Sequence, residues 1–138
     1  MRAIFLSAIF TLIFGFPARA NYSIVVVANT ENKEIQLNRQ QVRNLFMGGA
    51  LPYNFEAIAL PPENQTRVLF NTRVVGLTES RIQSYWAQMR FTGRKKAPKE
   101  VASEKAVLEY IKSHPGAVGY LPVGVSIPDE LTVLYSAL

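Results

Sequence analysis

The stretch with the clearest chemical potential is PPENQTRVLF, residues 61–70. Two prolines lead through a polar turn into an apolar segment of helical character. A helix start presents unpaired backbone N–H groups and a partial positive charge, so Asn64, Gln65, Thr66 and Arg67 are candidate ligands for a phosphate or sulfate. The same residues also make an ordinary helix cap, and the sequence alone leaves both roles open. Arg67 is the deciding residue. A cation in the first turn opposes the helix dipole unless an anion, or a carboxylate such as Glu63, offsets it.

Other chemistries have little to stand on. The chain holds one histidine and no cysteine, so no metal centre of the usual ligand set is expected. His114 precedes Pro115 in a helix-stop signal, no G-x-S-x-G elbow is present and no glycine-rich nucleotide loop occurs, which argues against a hydrolase or a nucleotide enzyme. His114 reads instead as a helix C-terminal residue whose ring meets the last carbonyls. The ten acidic residues fall mostly in polar connections, and Glu104 and Glu109 look like first-turn and surface choices. The expectation is a non-enzymatic protein without a cofactor.

The elements that must position residues 64–67 alternate between strand and helix. Residues 22–28, YSIVVVA, form a continuous β-branched run suited to a strand buried on both faces. Asn38 and Gln41 make a capping-box pair before Val42, Leu45 and Phe46, and Gly48-Gly49 closes that helix. Residues 56–60 read as a second strand, ended by Pro61-Pro62. The apolar positions from Val68 to Val75 cover more than one helical face, which predicts a largely buried helix stopped by Gly76. Thr78 caps a helix with Ile82, Tyr85, Trp86 and Met89 on one stripe, where Trp86 is expected in the core, its other role being the wall of a ligand cleft. Residues 98–102 suit a short strand, and Ser103 caps a helix carrying Val107, Leu108, Tyr110 and Ile111. Residues 117–121 and 131–136 are the last two strand candidates. The pattern predicts an α/β fold, a mixed sheet flanked by helices.

Composition bounds the setting. The first twenty residues, MRAIFLSAIFTLIFGFPARA, place Arg2 before an apolar run and end in Ala18-Arg19-Ala20, the form of a secretory signal peptide. The run is short of the ~18 to 20 apolar residues of a membrane span. This predicts residues 1–20 as a signal peptide and 21–138 as one periplasmic domain with no membrane insertion after cleavage. The absence of cysteine leaves stability to packing alone and excludes a lipid-anchored lipoprotein. The 15 Lys and Arg lose Arg2 and Arg19 with the leader, leaving 13 against 10 acidic residues, a mild net +3. The densest basic run, Arg90, Arg94, Lys95, Lys96 and Lys99, reads as a solvated loop, and no nucleic-acid partner is expected of an exported protein.

Four segments, IVVVAN, LNRQQVRNLFMGG, ALPPENQTRVLF and HPGAVGYLP, resemble in that order the phosphate-binding (substrate-binding) proteins of phosphate ABC transporters. The resemblance implies a periplasmic binding protein-like (type II) lobe, a short and roughly one-lobe relative of proteins that clamp their ligand between two lobes. It also implies solute binding, with a small oxyanion such as phosphate or sulfate as ligand and a transporter permease as partner. Residue by residue, Thr66 matches the threonine of the family's anion loop, while Asn64 and Gln65 stand at its serine and glycine. Leu60 stands at its arginine and Pro62 at its aspartate. Loss of that arginine removes a strong charge-assisted contact, so the oxyanion is expected to bind weakly. The alternative is a single-lobe interaction module for an envelope protein, with no small-molecule ligand.

Export is testable directly. Mass spectrometry of the protein from its native host is expected to find a mature start at Asn21 in the soluble periplasmic fraction; an intact Met1 in a membrane fraction would refute it.

Overall fold

The computed structural model describes residues 23–93 and 95–137; the expected signal peptide, residues 1–20, lies outside them. Five strands make one sheet in the order β3-β2-β4-β1-β5. They are β1 (Ile24–Ala28), β2 (Glu56–Ala59), β3 (Lys99–Glu100), β4 (Ala117–Pro122) and β5 (Thr132–Ala137). The helices are α1 (Arg39–Phe46), α2 (Gln65–Phe70), α3 (Glu79–Thr92) and α4 (Glu104–Ser113). β2 runs parallel to both β3 and β4, whereas β1 is antiparallel to β4 and β5. This is the mixed α/β sheet that the alternating pattern predicts. Ile24, Val26, Val27 and Ala28 of β1 are all fully buried, as a β-branched run flanked by strands on both sides requires.

The helix caps form where side-chain chemistry places them. Asn38 and Gln41 exchange both capping-box hydrogen bonds, Thr78 accepts from the Arg81 amide and Ser103 accepts from the Ala106 amide. Each satisfies backbone donors that the first helical turn leaves without partners. His114 ends α4, its Nδ1 lying 2.9 Å from the Tyr110 carbonyl oxygen and its ring stacked on Tyr110.

Residues 68–75 depart from the expected single buried helix. α2 stops at Phe70 and the chain widens into one π turn, Asn71–Val75, closed by the Gly76 amide donating to the Asn71 carbonyl at 2.7 Å. Gly76 takes φ +74° there, a left-handed conformation that a glycine adopts without steric cost. The wider turn lets Phe70, Val74 and Val75 face the core together and leaves Val68 exposed. The strand expected over 98–102 is also cut to Lys99–Glu100.

The core is centred on an aromatic group. Phe70 stacks on Tyr120 with centroids 4.0 Å apart, and Phe46 meets the two rings at 4.7 and 5.5 Å, so one ring each from α1, α2 and β4 meets at this point. α4 lies on the sheet directly over Gly119. A Cβ there would stand 2.6 Å from Val107 Cγ1 and 3.0 Å from Ile111 Cδ1. Along the outer side of β5, the Leu37 amide donates to the Leu134 carbonyl at 2.8 Å.

Gly119→Ala is therefore expected to destabilise the fold by about 1–3 kcal/mol through overpacking, and Val107→Ala in the same chain to restore part of the loss. Denaturant midpoints of the single and double variants test this; strictly additive losses would place the clash elsewhere.

Candidate functional site

The parallel pairing of β2 with β3, Ile58 opposite Lys99 and Ala59 opposite Glu100, brings the carboxyl ends of two strands side by side. The helices that follow them, α2 and α4, consequently start next to each other. The Thr66 hydroxyl donates to Glu104 Oε1 at 2.7 Å across that gap. Carboxyl ends of strands followed by helix starts are where α/β sheets commonly bind ligands.

The structure gathers Asn64, Gln65, Thr66 and Arg67 at this point and gives each a distinct setting. Asn64 is the N-cap of α2, its Oδ1 accepting from the Thr66 amide at 2.8 Å and the Arg67 amide at 3.3 Å. Those two backbone donors are thereby engaged by the cap. Gln65 is exposed and Thr66 is buried.

Arg67 is 6 % exposed and is enclosed by acceptors. Its Nε donates to Glu79 Oε1 at 2.7 Å and its Nη2 to Glu79 Oε2 at 2.8 Å, a two-pronged pair. Nη1 donates to Glu100 Oε1 at 2.8 Å and to the Leu60 carbonyl at 2.7 Å. Asn71 and Gln83 each donate to Glu79 as well. Burial alone would lower the Arg67 pKa, but the hydrogen bonds to Glu79 and Glu100 and the charge of Glu79 more than offset it, so the guanidinium is held above its usual value. Burial likewise pushes the Glu79 carboxyl up, and the hydrogen bonds from Arg67, Gln83 and Asn71 together with the charge of Arg67 bring it below the ordinary 4.5. The anion that a first-turn arginine demands is thus supplied by Glu79 and Glu100.

Beside this network lies a cavity of about 240 Å³ whose wall includes Arg67 and Glu100. Phe46, Phe70, Val75, Ile82, Trp86 and Tyr120 form its apolar lining, and Gln83, Arg90, Ala97 and Pro98 stand around it. Trp86 is buried, as expected, and also lines this cavity. The Tyr120 hydroxyl accepts from the Leu60 amide at 3.1 Å. Burial pushes its pKa up to about 12.

Glu79, Glu100 and Glu104 escape a reading along the chain. Glu104 resembles a first-turn surface residue in sequence, yet it is only partly exposed and bonded to Thr66. The available signal is Arg67 itself, since a cation against a helix dipole needs carboxylates. The basic run spreads over an exposed surface at Arg90, Lys95, Lys96 and Lys99, with Lys99 Nζ 4.8 Å from the Tyr110 ring centre; Arg94 lies outside the described residues. Among the described residues no group of three or more His, Cys, Asp or Glu side chains is placed to hold a metal ion, and no helix is long and apolar enough to cross a membrane.

This architecture has counterparts among solved structures. An ABC-type phosphate transport receptor from Vibrio cholerae matches 82% of the chain with a TM-score of 0.60 and 17% identity. The chain shares that fold. A putative phosphate ABC transporter substrate-binding protein from Clostridium perfringens, solved with bound phosphate, gives 0.62 and 11%, and PstS from Borrelia burgdorferi gives 0.60 and 15%, each over 82% of the chain. The chain spans 45–47% of the length of these three structures. No family model matches it, and no curated protein does.

The lowered Glu79 pKa sets a pH dependence. Its contribution to stability is complete above the ordinary value of 4.5 and is lost as the pH falls through the lower folded value. Thermal melts between about pH 3 and pH 7 are expected to show an acid decline that Glu79→Gln flattens, because the variant removes the titrating group; an unchanged acid limb would contradict it.

Proposed function

We propose that this chain is a non-enzymatic, periplasmic solute-binding-like protein of the phosphate-transport class, comprising one domain after removal of residues 1–20. Its site takes a small oxyanion, phosphate or sulfate, weakly at the start of α2. The observation that carries the reading is the meeting of the α2 and α4 starts at the carboxyl ends of β2 and β3, within a lobe that shares the fold of a protein solved with bound phosphate. An ABC transporter permease is the partner that this class implies.

Weak binding follows from the same geometry. A helix start contributes about 0.3–1 kcal/mol toward a nearby anion, whereas micromolar affinity needs about 8 kcal/mol. Arg67 is engaged by Glu79 and Glu100, and the Thr66 hydroxyl already donates to a carboxylate, Glu104. An incoming oxyanion competes with that carboxylate for the hydroxyl and meets its charge.

Isothermal titration with phosphate and with sulfate checks the proposal. Saturable binding no tighter than about millimolar, at most about 4 kcal/mol, is expected. Glu104→Gln should strengthen it by removing the competing charge, and Thr66→Val should abolish it. Absence of heat in both the wild type and Glu104→Gln would overturn the reading.

A further inference from the structure

We infer that the cavity beside Arg67 binds an apolar ring carrying a tethered oxyanion, such as an arylalkyl carboxylate, with the ring inside and the anionic group on Arg90. The inference rests on the solute-binding reading for its setting, but its evidence is the cavity itself. Six of its lining residues, Phe46, Phe70, Val75, Ile82, Trp86 and Tyr120, are apolar or aromatic. Its volume of about 240 Å³ exceeds the roughly 150 Å³ that suffices to hold a benzene molecule in an engineered apolar cavity. It therefore has room for a ring with a short substituent.

The polar groups within the cavity do not welcome a bare inorganic anion. The donors of Arg67 are directed to Glu79, Glu100 and the Leu60 carbonyl, and Glu100, which lines the cavity, repels a negative charge placed next to Arg67. A small hydrated anion would also surrender its water to aromatic walls, which return nothing to a charge. Arg90 is different. It lines the cavity, is exposed, and has no hydrogen bond or ion pair from its side chain among the described residues. An arginine at the rim of an apolar cavity can lay its stem along the wall and keep its guanidinium in water, where it can pair with an anion on a ligand whose ring is buried. Gln83, exposed beside it, is bonded to Glu79, so Arg90 is the cation assigned to the ligand.

Trp86 is the only tryptophan in the chain and lines the cavity, so its emission reports occupancy. The full mature protein is titrated with 3-phenylpropionate, with its neutral counterpart 3-phenylpropan-1-ol and with inorganic phosphate. The acid is expected to change Trp86 emission saturably and to bind more tightly than the alcohol, while phosphate leaves the emission unchanged. Arg90→Gln, an exposed change, should weaken the acid by about tenfold, the scale of one charge-assisted hydrogen bond, and leave the alcohol unaffected. Ala97→Phe, at an exposed lining position, should block both. No emission change and no heat with the acid, or equal affinity for acid and alcohol in the wild type, would overturn the inference. Phosphate heat without a Trp86 change tests the α2 start separately, so either site can fail while the other stands.

Discussion

A buried guanidinium has to be surrounded by acceptors, and that requirement at Arg67 ties the architecture together. Arg67 belongs to α2, Glu79 to the first turn of α3, Glu100 to β3, and the Leu60 carbonyl to the exit of β2. Four elements separated along the chain are fixed around one planar cation. Removing Glu79, the two-pronged partner, would leave the buried guanidinium with only the half-exposed Glu100 and one carbonyl to answer its charge. The two-residue β3 makes sense in this light, since Glu100 is both the last residue of that strand and an acceptor for Arg67. The aromatic packing of Phe46, Phe70 and Tyr120 adjoins the network, with Tyr120 holding the amide of the same Leu60 whose carbonyl Arg67 uses.

Much of the framework could be read along the chain because its causes are local. β-branched runs mark β1 and β5, and Asn38, Thr78 and Ser103 announce three helix starts by the same side-chain hydrogen bond. The strand–helix alternation carries the fold class. Residues 71–75 could not be read this way, because a π turn is favoured only once Phe70, Val74 and Val75 have a common core to face. β3 is short for a similar reason. Its pairing with β2 is a tertiary event, and no hydrophobic run precedes it.

The candidate site was legible in part. Asn64 to Arg67 do sit together at a helix start, and the dipole argument correctly demanded negative charge near Arg67. The source of that charge was hidden, since Glu79 and Glu100 lie 12 and 33 residues away, and the nearby Glu63 is exposed instead. The cavity was equally invisible. Trp86 and Ile82 follow the ordinary periodicity of a core stripe, and only packing shows that their face also borders empty space.

The short hydrogen bond from Leu37 to Leu134 has a consequence for behaviour in concentrated solution. β5 is the outermost strand on its side, with Val133 exposed, and a bare edge of that kind recruits further strands from other molecules. The chain entering α1 lies across this edge and takes one of its carbonyls. At the opposite margin β3 offers only two residues, both charged. Among the described residues, one border is thus crossed at Leu134 and the other is two charged residues long, which shortens the stretch of free edge that a strand from another molecule could pair with.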